Sequence, residues 1–313
     1  MITIIQLEYL IAIDTYKNYA KAAEHCNVTQ PTLSMQVKKL EEELGVTIFD
    51  RSRQPVVTTG VGALIIEQAR ISLRELQKIP LAVEQFDKTV SGRLQLGIIP
   101  TISAYLLPLF IGDFTKKYPQ VHLSITEAYT HDILRMLHND QLDLAIVATP
   151  VNDLKVIEEP LYYEEIKVYM NYGHPLMNKD SLTADDVQRD DIWMLTQGNC
   201  FRNQVMNICK NNDKNRPEKQ VTYESTSLET LKKLVDSEGG IMLMPELAVL
   251  ELNARQLKQV KSFVEPVPLR EVGLIYVRSV SKISLIEIIK QTIMEAMPSE
   301  MLDKSRGTKV EWH

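Results

Sequence analysis

The chain has 313 residues, 44% hydrophobic and 24% charged: enough apolar surface for two or three buried cores, and the composition of a folded chain. Its formal net charge of −6 excludes a protein that wraps nucleic acid along its whole length, so any DNA contact has to be local. Three cysteines exclude a secreted disulfide framework, and no apolar run reaches the roughly 18 residues a membrane span needs.

These exclusions predict a cytoplasmic protein with reduced thiols and no membrane partner. The apolar start carries Glu8 and no basic stretch, so it reads as a first helix and not as a signal peptide. Leu7, Leu10, Ile11 and Asp14 follow its 3.6 period. A second short helix covers 20–25 and stops at Asn27-Val28. Thr29 is the expected N-cap of a third helix, with Pro31 in its first turn, Leu33, Val37, Leu40 and Leu44 as its buried stripe, and Gly45 as its stop. Residues 49–59 read as a hairpin around Arg53-Gln54-Pro55. One long helix is expected over 62–88, about 40 Å long. Its apolar positions Ile66, Ala69, Leu73, Leu76 and Val83 step by threes and fours as a two-helix seam would, with a kink expected at Pro80.

After Ser91-Gly92 the pattern changes to strands alternating with helices. Strands are expected at 94–99, 121–127 and 142–148, with helices at 106–117 and 131–139. A second set follows: strand 166–172, helix 201–210, strand 222–224, helix 227–237 and strand 241–244. A strand at 272–278 and a helix at 285–297 close the pattern. This order predicts a mostly parallel sheet in two α/β lobes, hinged around a cleft, with ligands at the carboxyl ends of strands. The expected divisions are 1–59, 60–90 and 91–298. The last splits into lobe I (91–164 and 269–298) and lobe II (165–268). The polar stretch 299–313 is expected to fray.

The two helices joined by a turn at Cys26-Asn27-Val28 form a helix-turn-helix, whose second helix would lay its N-terminal residues on base edges in the major groove. Gln30, Thr32, Ser34 and Met35 suit edge reading, with Thr29 and Pro31 at the helix start. Lys38, Arg51 and Arg53 are placed to neutralise phosphates. Residues 1–90 hold 10 Lys and Arg against 11 Asp and Glu, so pattern and not charge carries this reading. Cys26 reads as a small core residue. The stretch A-A-x-x-C-x-V-T-Q-P-T-L-S-x-Q-V-K-K-L-E-E-E-L-G-V-x-x-F-D-R strongly resembles the N-terminal domain of LysR-type transcriptional regulators. Thr58-Thr59-Gly60 resembles that family's wing and the start of its linker helix. The resemblance covers the whole chain. It implies a winged helix-turn-helix, a long linker helix and a two-lobed, periplasmic-binding-protein-like α/β effector domain.

A second motif is Gly198-Asn199-Cys200-Phe201-Arg202-Asn203-Gln204, with Cys209 nine residues after Cys200. Phe201, Val205, Ile208 and Cys209 have helical spacing. Asn199 is then the N-cap, Cys200 lies in the first turn, and the helix terminus and Arg202 favour its thiolate. Cys209 belongs to the apolar stripe. Nine residues of helix rise about 13.5 Å and put the two side chains on opposite faces, whereas a disulfide needs Cα atoms within roughly 7 Å. The pair can bridge only if the helix unwinds. Two unrelated core cysteines have the same spacing, so the residues alone leave both readings open.

Within the LysR-like frame, Gly-x-Cys-x-Arg-x-Gln with its second cysteine is similar to the peroxide-sensing branch of the family. That resemblance implies oxidation of Cys200 by hydrogen peroxide, resolution by Cys209, and reduced and oxidised tetramers that contact promoter DNA differently. It also implies a peroxide pocket of Thr101, Thr130, Asn199, Arg202 and Arg270. Many members of that branch have histidine where Asn199 stands, so thiolate stabilisation would rest on Arg202, Arg270 and the helix terminus. The implied partners are double-stranded promoter DNA, a second copy through the 60–88 helix, a tetramer and RNA polymerase. Hydrogen peroxide is the signal, and no cofactor is expected. A regulator of the same family that binds a small organic effector in its cleft is the alternative. A thiol peroxidase would have no use for a recognition helix. Zinc on Cys200 and Cys209 lacks supporting spacing. Stoichiometric use of peroxide makes the chain a regulator and not an enzyme.

Overall fold

The computed structural model describes residues 2–84, 90–188, 191–209, 225–278, 280 and 282–311. The chain divides into two units, one of 1–90 with 138–141 and 279–283, the other of 91–137, 142–278 and 284–313.

In the first unit, helix α1 (Ile4–Tyr16) starts at a capping box between Thr3 and Gln6. Helix α2 (Tyr19–His25) begins one residue earlier than expected, because Asn18 accepts hydrogen bonds from the backbone N–H of Ala20 and Lys21. Thr29 caps α3 (Gln30–Leu44), and Gly45 ends it at φ 69° in the left-handed region. Leu33, Val37 and Leu40 are fully buried with Leu10, Ile13, Ala22 and Ile48. Leu44, expected in that stripe, is exposed, and Val46 just after the helix packs against the core instead. Strands β1 (Phe49–Asp50) and β2 (Val57–Thr58) pair antiparallel as the wing.

Helix α4 (Gly60–Glu84) starts where the Thr59 hydroxyl accepts from the Gly62 N–H at 3.0 Å. A Cβ at Gly62 would lie 2.3 Å from the Ile48 carbonyl oxygen, so only glycine permits this approach. The helix packs on α1 and continues through Pro80; residues 85–88 of the expected helix lie outside the described residues. Of the expected seam, Ile66 and Ala69 are buried within the unit, Leu73 is half-buried and Leu76 is exposed, while the side chain of Val83 lies outside the description. Leu64 and Ile79 are also exposed, leaving an apolar face on α4.

The second unit alternates β3 (Gly92–Ile98), α5 (Pro100–Lys117), β4 (Val121–Glu127), α6 (Thr130–His138) and β5 (Leu144–Ala148). Helix α5 begins six residues before its expected start, with Pro100 at its first position, where the missing N–H costs nothing. Then come β6 (Val156–Met170), β7 (Ser181–Leu182), α7 (Cys200–Cys209), α8 (Leu228–Glu238) and β8 (Ile241–Pro245). The chain finishes with α9 (Glu246–Val249), α10 (Ala254–Leu257), β9 (Val260–Phe263), β10 (Pro268–Val277), α11 (Ile283–Ala296) and β11 (Thr308–Lys309). The expected strand at 222–224 lies outside the described residues.

The strand order is β4-β3-β5-β10-β6-β9-β7, with β8 on β6 and β11 on β10. The sheet is mixed and not mostly parallel. Strands β3, β4 and β5 run parallel, but β10 runs antiparallel to both β5 and β6. Strand β6 starts ten residues before its expected position. Its residues 156–165 pair with β10, and 166–170 pair with β8, so one strand serves both lobes. That shared strand breaks the simple alternation from which a parallel sheet was expected.

The stretch expected to fray, 299–313, is ordered over its described part. Met301 is buried, Thr308 and Val310 donate backbone hydrogen bonds to the carbonyls of Val267 and Leu269 at 2.8 Å each, and β11 lies parallel to β10. Arg306 forms ion pairs with Glu246 at 2.8 Å and Glu165 at 3.0 Å. Polar composition suggested fraying, but these polar groups find partners on the sheet.

Candidate redox site and nucleic-acid interface

Thr101 sits in the first turn of α5, just after β3, and Thr130 opens α6, just after β4. Parallel strands therefore deliver two helix N-termini and two buried threonines to one edge of lobe I. From lobe II, Gly198 turns at φ 87° into Asn199. The Asn199 side chain accepts from the Phe201 N–H at 2.9 Å, and Cys200 opens α7 as expected. The Cys200 Sγ lies 2.8 Å from the Thr130 Oγ1, in hydrogen-bond contact.

Arg270, on β10, completes the group. It is 1% exposed. Its Nη1 donates to the Thr101 Oγ1 at 3.1 Å and its Nη2 to the Thr101 carbonyl at 3.2 Å. Its Nε and Nη2 donate to Glu164 Oε1 at 2.8 and 2.5 Å, and the other Glu164 oxygen accepts from the Leu247 N–H at 3.1 Å. The guanidinium also lies over the Phe201 ring, 5.0 Å from its centroid. A buried ion pair thus fixes the cation beside the threonines.

Burial pushes the Cys200 thiol above its ordinary pKa; the Thr130 hydrogen bond and the Arg270 charge oppose that rise. Burial also lifts the Glu164 carboxyl, with Arg270 opposing. The cation acting on the thiol is therefore Arg270, seventy residues further along the chain. Arg202 donates from Nη1 to the Leu195 carbonyl at 2.7 Å. Cys209, at the far end of the same unbroken helix, is fully buried, and no disulfide joins it to Cys200.

The structure thus brings Thr101, Thr130, Asn199, Cys200 and Arg270 together. Glu164 and Phe201 belong to the same group and were missed. The signal for Glu164 was present: Tyr162, Ile166 and Val168 alternate inward along β6, which puts a carboxylate on the buried face. Such a group needs a buried cation.

In the first unit, the start of α3 and the wing border a concavity of about 640 Å³. Gln30 and Ser34 from α3 and Arg51, Arg53 and Gln54 from the wing region line it. Lys17 and Lys21, which sequence reading passed over, also line it. Thr29 bonds the Thr32 hydroxyl at 2.8 Å as part of its cap, and Pro31, Thr32 and Met35 are exposed nearby. Arg51 pairs with Glu41 at 2.8 Å and stacks on Tyr19, while Arg53, at 3.5 Å from Asp50, is mostly exposed. Lys38, near Glu42, is also solvent-facing. Cys26 is half-buried at the end of α2, and burial raises its thiol.

A recognition helix with a cationic wing, ahead of a two-lobed α/β unit with a buried thiol, defines a ligand- or redox-responsive DNA-binding regulator. Residues 4–63 match the family model for the bacterial regulatory helix-turn-helix protein of the lysR family, and residues 87–296 match that for the LysR substrate binding domain. The chain belongs to the LysR family, in the branch of the OxyR-type hydrogen peroxide-inducible genes activators. It is 36% identical over 270 residues to the hydrogen peroxide-inducible genes activator of Haemophilus influenzae, covering 86% of this chain and 89% of that one. It is equally similar to the transcriptional dual regulator OxyR of Escherichia coli K12, covering 86% and 88%. A full-length OxyR variant from Pseudomonas aeruginosa superimposes with a TM-score of 0.76 at 33% identity, over 94% of this chain and 98% of that one. A cysteine-to-serine variant of Corynebacterium glutamicum OxyR with H2O2 bound gives 0.62 at 26% identity, over 94% and 92%.

Proposed function

We propose that this protein is a DNA-binding transcription regulator whose signal is hydrogen peroxide and whose switch is a Cys200–Cys209 disulfide. The observation that carries this is the 2.8 Å contact between Cys200 and Thr130 at the start of a helix that ends in Cys209. Thr101, Thr130 and Arg270 supply hydroxyls and a cation where a small polar oxidant would meet the sulfur. The Cys200 thiolate attacks one peroxide oxygen and the O–O bond breaks. Hydroxide leaves and takes up the thiol's proton as water, giving a sulfenic acid. Cys209 then attacks that sulfur, the S–S bond forms and the S–O bond breaks, and a second water leaves. Two thiols and one peroxide become one disulfide and two waters.

The second step requires α7 to unwind, since about 13.5 Å of helix separates the cysteines. That repacking is the two-state element through which the regulatory unit changes how paired recognition helices meet promoter DNA. The protein acts in the cytoplasm as an activator, without a cofactor and without catalytic turnover. It is a dimer through α4 and a tetramer in its working form, and RNA polymerase is its downstream partner. Mass spectrometry of thiols after one equivalent of hydrogen peroxide, paired with DNA footprinting, tests this. Loss of two thiols with a Cys200–Cys209 linked peptide and an altered footprint is expected. A Cys200→Ser protein should bind DNA and keep one footprint; normal switching by that protein would overturn the reading.

A further inference from the structure

The segment after α11 touches two of the elements that build the redox site, β10 and α7. Thr308 donates to the carbonyl of Val267, just before β10, and Val310 to that of Leu269 in β10, the residue before Arg270. Lys309 pairs with Glu271 at 2.6 Å on the other side of that arginine. The same segment then receives two hydrogen bonds from the cysteine helix. Gln204 Nε2 donates to the Val310 carbonyl at 3.1 Å, and Asn207 Nδ2 donates to the Glu311 carbonyl at 2.7 Å. Gln204 and Asn207 lie between Cys200 and Cys209, on the stretch that has to unwind.

The close approach is built in. Gly307 is extended, and a Cβ there would lie 2.3 Å from the Val267 carbonyl oxygen and 2.6 Å from the Val267 side chain. No other residue fits without pushing the segment off β10. Arg306 anchors its start through Glu246 and Glu165.

We infer that residues 307–311 are a positioning segment for the disulfide step: they hold α7 helical against β10 and set the rate at which Cys209 reaches oxidised Cys200. This rests on the peroxide-driven switch proposed above. In the reduced protein both side-chain bonds are made. For the S–S bond to form and the sulfenic oxygen to leave as water, α7 unwinds, and Gln204 and Asn207 lose their register with Val310 and Glu311. The segment does not touch the sulfur, so the first oxidation at Cys200 is independent of it.

The test separates the two steps in the full-length protein. Sulfenic acid formation is timed by dimedone trapping in a Cys209→Ser background. Disulfide formation is timed by acid quench and peptide mapping with Cys209 present. Gly307→Ala displaces the segment, and Asn207→Ala deletes one bond at an exposed position. Each should speed the disulfide step by roughly tenfold, the scale expected from losing one or two hydrogen bonds, and leave sulfenic acid formation unchanged. Unchanged disulfide rates in both variants, or equal acceleration of both steps, would overturn the inference while leaving the switch intact. Failure of the parent protein to form the disulfide would instead overturn the switch itself, and this inference with it.

Discussion

Replacing Arg270 by methionine removes the cation that the structure sets against Glu164 at hydrogen-bond distance. Arg270 is 1% exposed and Glu164 fully buried. After the change the carboxylate keeps one donor, the Leu247 N–H, and two bonds to Thr101 disappear. Breaking a buried pair by removing one partner costs about 3–5 kcal/mol, most of it from the charge left behind. Adding Glu164→Gln removes that charge and keeps an acceptor for Leu247, so the double variant should regain most of the loss. The chain's two tryptophans, Trp193 and Trp312, both follow residue 91, so urea unfolding followed by their fluorescence reports on the regulatory unit. A loss of under about 1 kcal/mol in the single variant, or a double variant no more stable than the single, would refute this account of the pair. Peroxide reactivity should fall in both, because the charge that lowers the Cys200 pKa is gone in both. Recovery of reactivity in the double variant would refute the electrostatic role.

Thr130→Val deletes the 2.8 Å contact that favours the thiolate, so oxidation should slow several-fold while stability changes by no more than about 1.5 kcal/mol; stopped-flow peroxide kinetics and urea unfolding measure the two. Burial raises the Cys200 pKa, so the reactive thiolate is scarce at neutral pH and becomes more abundant as pH rises. The rate of sulfenic acid formation should therefore still be climbing near pH 8.5, where an ordinary thiol is half ionised, and a flat profile from pH 6 to 9 would contradict the burial argument. Arg53→Ala and Lys21→Ala should each weaken DNA binding uniformly across sequences and reduce the slope of log affinity against log salt by about one, whereas Gln30→Ala should relax sequence preference; titration at several salt concentrations separates the two. Ile79→Asp, on the exposed apolar face of α4, should lower the self-association measured by sedimentation without altering the urea transition of the regulatory unit.

Much of the chain was legible because local chemistry and tertiary structure agree there. Thr29, Pro31 and Gly45 mark the ends of α3 by capping, which needs only neighbouring residues. The same holds for Asn199 at the head of α7. The first ten residues of strand β6 were missed because Glu158, Glu159 and Pro160 interrupt its apolar alternation. It is a strand there because β10 pairs with it. The polar 299–311 segment was misread for the same reason, its partners being on β10 and α7 and not beside it in sequence.

The sequence by itself determined the helix-turn-helix, the succession of α/β elements and the spacing that forbids a disulfide within an intact α7. Each follows from periodicity, caps or helical rise, which act over a few residues. Only the tertiary structure decided which cation serves Cys200. Arg202 is two residues away but reaches for the Leu195 carbonyl, and Arg270 acts on the thiol from another strand because Glu164 and Thr101 hold its guanidinium there. Buried charge is stable only where distant parts of the chain converge to satisfy it, and sequence neighbours carry no record of that convergence.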